Sequence, residues 1–336
     1  MGLKDLGKRV VKDALMKSGG LSLATRMAPA GAVVLMYHSI VENPETTRDS
    51  VGISQPRSSF EAHIRILAKS YNPVSIEQVV QFAHEGHPLP PKSVAVTFDD
   101  GFADNYDVAL PILNRYRVPA TFYIMVNAVE TGNPPWYCRL RSAFGATRRL
   151  EWSDPEHPQT CSLATHEDQE SALNTVFEIG ARKTGETQEQ FLQRVEKSLE
   201  VEPLGPRDKL MMTWDHVRAL RKAGHIVGAH TLSHPNLAHV SGEEAKSEIV
   251  GSKKRLEEEL GEPIDHFSYP HPALNPQWNP ATLELTCEAG FKSAVLTKCG
   301  AVRAGDEPLA LKRIYAANDL AQWVWNMECT FLGRSI

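Results

Sequence analysis

Short runs that are apolar throughout alternate along this chain with longer segments in which apolar residues return every three or four positions. The runs at 33–37 (VVLMY), 94–98 (VAVTF), 120–126, 226–229, 266–269 and 293–297 are short and largely β-branched or aromatic, so they predict buried strands. A further short strand is expected at 74–75. Between the runs, Phe60, Ile64, Leu67 and Ala68 mark a helix. Further helices are expected over 76–84, 109–116, 214–223, 242–260 and 280–289. Pro88, Pro90 and Pro91 form a rigid linker, because each ring fixes its own φ. Strands alternating with helices predict an α/β fold, a parallel sheet with helices outside it.

The alternation breaks over 130–212. That stretch is polar, holds two helical patterns at about 166–183 and 187–199, and has no buried-strand signature; it is expected to be an insertion or cap. Residues 31–129 and 213–320 then form the main body. Residues 1–30 stand apart. Leu3, Leu6, Val10 and Ala14 recur at helical spacing, with Lys4, Lys8, Arg9, Lys12 and Lys17 interleaved. No uninterrupted apolar core of a secretory signal is present there. An amphipathic helix is expected, packed on the body or lying on an anionic membrane surface through residues 1–17.

Composition narrows the classes. At 336 residues, with 42% hydrophobic and 23% charged positions, the chain has a globular balance. A net charge of −5 makes a phosphate-gripping nucleic-acid binder a poor fit. No run approaches the roughly 18 apolar residues of a membrane span. The five cysteines, Cys138, Cys161, Cys287, Cys299 and Cys329, are odd in number and lack any CxxC pair. They suit a reducing compartment better than a disulfide framework, so a cytoplasmic location is expected.

Three predicted strand ends carry titratable side chains: Asp99-Asp100, His230 with His234, and His38. In parallel α/β folds function gathers at the C-terminal ends of strands. Two histidines four apart plus a carboxylate from another strand make a plausible set of three ligands for a divalent ion, with a position left open. The second carboxylate of the Asp-Asp pair would remain free to take a proton.

The segment Thr97-Phe98-Asp99-Asp100-Gly101 resembles the TFDDG motif of the polysaccharide deacetylases (the NodB-homology family), and His230-Thr231-Leu232-Ser233-His234-Pro235 resembles their H[ST]xxHP motif. The resemblance covers about 31–127 and 213–300 and leaves out 130–212. It implies a distorted, incomplete (β/α) barrel with a mainly helical insertion. It implies that Asp100, His230 and His234 bind a metal, most often zinc, and that Asp99 is the general base. The family's acid histidine usually lies in a C-terminal motif that is missing here. The run ending Met36-Tyr37-His38 resembles its counterpart in a circularly permuted subset, so His38 is assigned as general acid.

A third segment, Phe267-Ser268-Tyr269-Pro270-His271-Pro272, resembles the family's oxyanion-binding stretch but departs from it. Ser268 stands where many members have the arginine that orients the base, and His271 where an aromatic is usual. The His271 peptide N–H remains a candidate oxyanion donor, and Arg313 a candidate replacement for the arginine, against a plain role as a surface cation. In the insertion, Trp136 and Tyr137 offer an aromatic face with Arg139 and Arg141 as cations beside it, and Trp136 and Arg139 are the candidate substrate contacts. The implied activity is removal of N-acetyl groups from a glycan or a lipid- or nucleotide-linked glycan precursor. The alternatives are an amidase for a small non-carbohydrate amide and a non-catalytic glycan-binding protein, the last disfavoured by intact candidate ligands.

Overall fold

The computed structural model describes residue 25 and residues 29–42, 53–154 and 157–334. The expected amphipathic helix over 1–17 lies outside the described residues. Among the described residues, twelve strands run in chain order: β1 Ala32–Tyr37, β2 Ile40–Val41, β3 Gln55–Pro56, β4 Asn72–Pro73, β5 Ser93–Phe98, β6 Ala120–Ile124, β7 Glu151–Asp154, β8 His157–Ser162, β9 Ile226–Ala229, β10 His266–Ser268, β11 Ser293–Val295 and β12 Ile314–Tyr315. The main sheet has the order β11-β10-β9-β6-β5-β1-β12, with β4 also paired to β5, and every pairing in it is parallel. Its two edges meet. Leu311 N–H donates to Ala294 O and Leu296 N–H to Leu311 O, both at 2.9 Å, so the segment entering β12 joins β11. The result is a distorted barrel.

Strand parity decides what faces inward. On β1, Val33, Leu35 and Tyr37 pack into the outer core between strands and helices. Val34 joins Ala95, Tyr123, Val295 and Leu311 in a second cluster, which the Ile76–Glu85 helix closes from one end. Successive side chains alternate faces, so Thr97 and Asp99 follow Ala95 inward. His230 follows Gly228, and Ser268 lies between the outward Phe267 and Tyr269. Gly228 is obligatory for this packing, because a Cβ there would sit 2.6 Å from the Tyr123 ring and 2.7 Å from His266 O.

Helix starts follow side-chain chemistry. Ser75, Thr213, Ser241 and Asn279 each cap a helix by accepting from the third N–H beyond. The 74–75 strand expectation fails for this reason. Ser75 is spent as a cap, and the strand lies two residues earlier, where Asn72 and Val74 bond to the β5 backbone region. Residues 133–205 contain helices Trp136–Ala146, His166–Gly180 and Gly185–Ser198 and also the antiparallel hairpin β7–β8. The hairpin escaped the apolar-run criterion because its sequence is mostly polar, with Trp152 its main buried apolar side chain. This segment has its own core, built on Trp136, Leu140, Phe144, Leu173, Phe191 and Val195.

Candidate active site

The barrel's C-terminal end opens into a cavity of about 190 Å³ whose lining includes His38, Asp99, Asp100, His230, His234 and His271. Asp99 and Asp100 follow β5 directly. Asp100 adopts φ 76°, as do Thr231 and His234 at 65° and 61°. Left-handed backbone at three non-glycine residues is strain held in place by surrounding contacts. The His230–His234 turn shows those contacts. The N–H groups of Val126 and Asn127 donate to the carbonyls of Thr231 and Leu232. The carboxylate of Glu248, buried in the Gly242–Leu260 helix, accepts from the peptide N–H groups of Leu232 and Ser233 at 2.8 Å each and from the Ser233 hydroxyl.

Asp100, His230 and His234 each offer one ligand atom, all within 4.8 Å of one another, and all three residues are buried. Asp100 Oδ1 lies 3.4 Å from His230 Nε2 and 3.5 Å from His234 Nε2. Neither Asp100 carboxylate oxygen has a hydrogen-bond partner. Two buried, unsatisfied carboxylate oxygens facing imidazole nitrogens could hold a cation. His230 Nδ1 lies 2.7 Å from the carbonyl of Ser268, which can only accept, so in the neutral ring the proton sits on Nδ1 and Nε2 presents its lone pair to the cluster. Burial lowers the His230 pKa, but Asp99 and Asp100 outweigh it and the net shift is upward. Burial, with help from His230, pushes the His234 imidazole down to about 3.

Asp99 is held differently. Arg313, fully buried, grips its two oxygens at 2.8 and 2.7 Å and also donates to Thr97 Oγ1, Ser268 Oγ and Leu296 O. Burial alone would raise the Asp99 carboxyl; the Arg313 guanidinium and His230 outweigh it and keep the carboxyl below the usual range. The surface-cation reading of Arg313 is thus overturned. The guanidinium comes in at the seam where β11 meets β12, and the small Ser268 side chain leaves it room and hydrogen-bonds both partners. His38 lines the cavity at the end of β1, and its carbonyl is fixed by Asn105 Nδ2 at 2.7 Å. Burial lowers its pKa against the pull of Asp100 and Asp99. His271 lines the rim, its ring 3.2 Å from Asn275 Oδ1 and 3.4 Å from Thr297 Oγ1.

Trp136 and Arg139 do not face this cavity. The Trp136 ring is buried in the insertion's core, and its indole N–H donates to His234 O at 3.0 Å. Arg139 is buried against Glu196 in a two-pronged pair, with Glu189 on its remaining nitrogen. Both expectations rested on the segment's position next to the Asp99-Asp100 strand end, whereas the helical spacing of Trp136, Leu140 and Phe144 turns that face inward. The residues that do reach the cavity from the insertion are Tyr137, Arg141 and Phe177. Tyr137 stands 5.0 Å ring to ring from His234, and its buried hydroxyl has no hydrogen-bond partner. Glu248, Tyr315 and Thr297 escaped the sequence reading because no motif brackets them.

Comparison with known proteins bears on the family and the fold. The family model described as polysaccharide deacetylase matches residues 86–294, more than half of the chain. Over 102 residues in each case, 30% of its length, the chain is 31% identical to the putative polysaccharide deacetylase YxkH of Bacillus subtilis (strain 168) and 35% identical to the poly-β-1,6-N-acetyl-D-glucosamine N-deacetylase of Escherichia coli (strain K12). These matches span 34% and 15% of the two relatives' own lengths. Among solved structures, the deacetylase PplD of Streptococcus pyogenes superposes with TM-score 0.59 at 20% identity, over 89% of this chain and 99% of that one. IcaB from Ammonifex degensii gives 0.58 at 18%, over 91% and 99%. At those identities the likeness is one of fold.

Proposed function

The chain belongs to the polysaccharide deacetylase family, and on that premise we propose that it is a metal-dependent hydrolase that removes N-acetyl groups from a glycan and releases acetate. The observation that carries this is the Asp100 carboxylate, buried with both oxygens unpartnered between the Nε2 atoms of His230 and His234. Those three residues would hold a divalent ion. Such an ion, zinc being the favoured one, supplies Lewis-acid polarisation of the acetyl carbonyl and eases deprotonation of water. Asp99 takes a proton from the water whose oxygen attacks the carbonyl carbon. Arg313 keeps that carboxylate anionic and aimed. As the C–N bond breaks, His38 delivers a proton to the nitrogen, so that a free amine rather than an amide anion leaves. Burial lowers the His38 pKa, which makes the imidazolium a stronger acid once it has formed. The remaining product is acetate.

The test is acetate release from N-acetylated oligosaccharides, β-1,6-linked glucosamine chains included, set against release from a panel of small amides. Glycan turnover that His234→Ala abolishes, together with loss of zinc binding by calorimetry on chelator-treated protein, is the expected result. Turnover of the small amides alone would assign a different amidase to the same scaffold. Full activity of the metal-stripped protein would remove the metal from the reading.

A further inference from the structure

We infer that the side-chain hydroxyl of Tyr137, carried into the cavity by the 133–205 segment, is a catalytic hydrogen-bond donor to the acetyl carbonyl oxygen as that oxygen gains negative charge. The inference rests on the reading of the Asp99 cavity as the deacetylation site and adds a donor to it. Tyr137 lies in the first turn of the Trp136–Ala146 helix and lines the cavity together with His38, Asp99, Asp100, His230 and His234. Its ring is fixed from two sides. It packs against the segment's own core and against a small apolar cluster that includes Phe102, Met125 and Met211 of the barrel. The neighbouring Trp136 ring meets it edge-on at 5.9 Å, and the indole N–H of Trp136 holds the His234 carbonyl. The support of the hydroxyl is thus tied to the turn that carries His234. The hydroxyl oxygen itself is buried and has no hydrogen-bond partner, and neither has either oxygen of Asp100.

A buried polar atom without a partner carries a desolvation cost that a bound ligand can relieve. The surrounding groups decide what that ligand atom is. Asp99 and Asp100 are carboxylates, and His230 Nε2 presents a lone pair, so the cluster beside Tyr137 is rich in acceptors. Burial, reinforced by Asp100 and Cys138, holds the phenol well above its ordinary pKa, so it stays an O–H donor and makes a poor ligand for an ion. When the water oxygen attacks the carbonyl carbon, the C=O π pair moves onto the carbonyl oxygen and the water proton passes to Asp99. Tyr137 keeps its own proton throughout and shares it in a hydrogen bond that tightens as the charge grows. A donor fixed in advance, whose bond strengthens only as charge develops, lowers the barrier more than it tightens substrate binding. A neutral hydroxyl does this without placing a second cation in a site that would hold a metal ion, which a lysine or arginine there would do.

The experiment is Tyr137→Phe in the full chain, which removes one oxygen and keeps the ring. With zinc and N-acetylglucosamine oligomers, kcat is expected to fall about 10²–10³-fold, the range for one lost oxyanion donor, with KM little changed. Three readouts do not depend on turnover. Zinc affinity, by calorimetry on chelator-treated protein, should be unchanged. Affinity for the methylphosphonamidate of glucosamine, in which a tetrahedral anionic phosphorus replaces the acetyl carbon, should drop by a factor similar to that in kcat. The urea midpoint should be equal to or above that of wild type, because the lost oxygen had no partner. A kcat near that of wild type, or equal affinity for the phosphonamidate, overturns the inference and leaves the deacetylase reading intact. So does a loss of zinc affinity of about tenfold or more, the scale of removing a group that supports an ion. A lowered urea midpoint also overturns it, since the hydroxyl would then have a structural partner. No acetate from any glycan with the wild-type chain overturns the deacetylase reading and this role together.

Discussion

At the scale of single residues, the site is built from two differently prepared carboxylates. Asp99 has a full set of partners and Asp100 has none, although they are adjacent in sequence. The first is held as an anion, and the second is left with the free oxygens that the proposed ion would need. Asp99→Asn is expected to retain ion binding and lower kcat by roughly 10²–10⁴-fold, the range of a lost general base. Arg313→Lys keeps a cation but cannot grip both oxygens. Losing one hydrogen bond to a charged group, worth about 1.5–3 kcal/mol, should lower kcat by roughly 10–100-fold. It should also raise the Asp99 pKa, since the group favouring the anion is weakened. The acid limb of the pH–rate profile, where the base becomes protonated, then moves to higher pH; a limb that stays in place would show that Arg313 does not act on Asp99. The motif residues Asp99, Asp100, His230 and His234 were legible in the sequence because short-range spacing fixes them to strand ends. Arg313 was legible only as one of two open readings, because it reaches Asp99 across 214 residues of chain at a seam that exists only once the barrel closes.

At the scale of elements, the strand–helix alternation was readable because parallel strands buried on both faces appear as continuous apolar runs, as in β1, β5 and β6. The missed elements were those whose apolar content is low, such as β7–β8, or whose ends are set by caps, such as β4. One contact between elements has a consequence for stability. His63 of the Arg57–Ser70 helix is fully buried, stacks on Trp323 of the Leu320–Phe331 helix at 4.4 Å, and lies 3.2 Å from the hydroxyl of Tyr37 on β1. Burial pushes its imidazole down to about 4. An unfolded His63 takes up a proton near pH 6.5, while the folded one resists until about pH 4. Stability from this group is therefore intact above about 6.5 and is lost as pH falls towards 4, by about 3 kcal/mol in all. Buried Asp104, pushed up to about 6, acts in the opposite direction. The measurement is thus a difference: urea unfolding of wild type and His63→Gln at pH 7 and pH 5. The variant should lose less stability between the two pH values, and an equal loss would remove His63 from the acid response.

At the scale of the whole molecule, the barrel supplies the reacting groups and the 133–205 segment supplies a wall of the cavity. The segment leaves and returns at one place, since Gly132 packs against Pro206, and its core is separate from the barrel's. It is nevertheless tied to the site. Trp136 donates to the carbonyl of His234, and Asn236 N–H donates to Ala181 O at 2.9 Å. This division sets apart two kinds of substitution that the sequence alone confounds. Trp136→Ala opens a cavity in the segment's core and should cost about 3–5 kcal/mol. Arg139→Ala leaves Glu196 buried and unpaired, with a similar expected cost of about 3–5 kcal/mol. Both effects belong in an unfolding curve. Arg141 and Phe177 are different. They line the Asp99 cavity while partly exposed, and the Arg141 guanidinium lies 5.7 Å from the Phe177 ring and 3.1 Å from Glu170. The partly exposed Arg141–Glu170 ion pair contributes little to folding, about 0–1 kcal/mol, and Phe177 is only half-buried at the edge of the segment's core, whereas Trp136 is fully enclosed in it. Arg141→Ala combined with Phe177→Ala should therefore leave zinc affinity in place and shift the unfolding midpoint less than Trp136→Ala does. The same double variant should raise KM for the glycan about tenfold, as expected for the loss of one polar and one stacking contact. Glycan KM unchanged in that variant, with zinc still bound, would reduce the segment to a brace for the His234 turn.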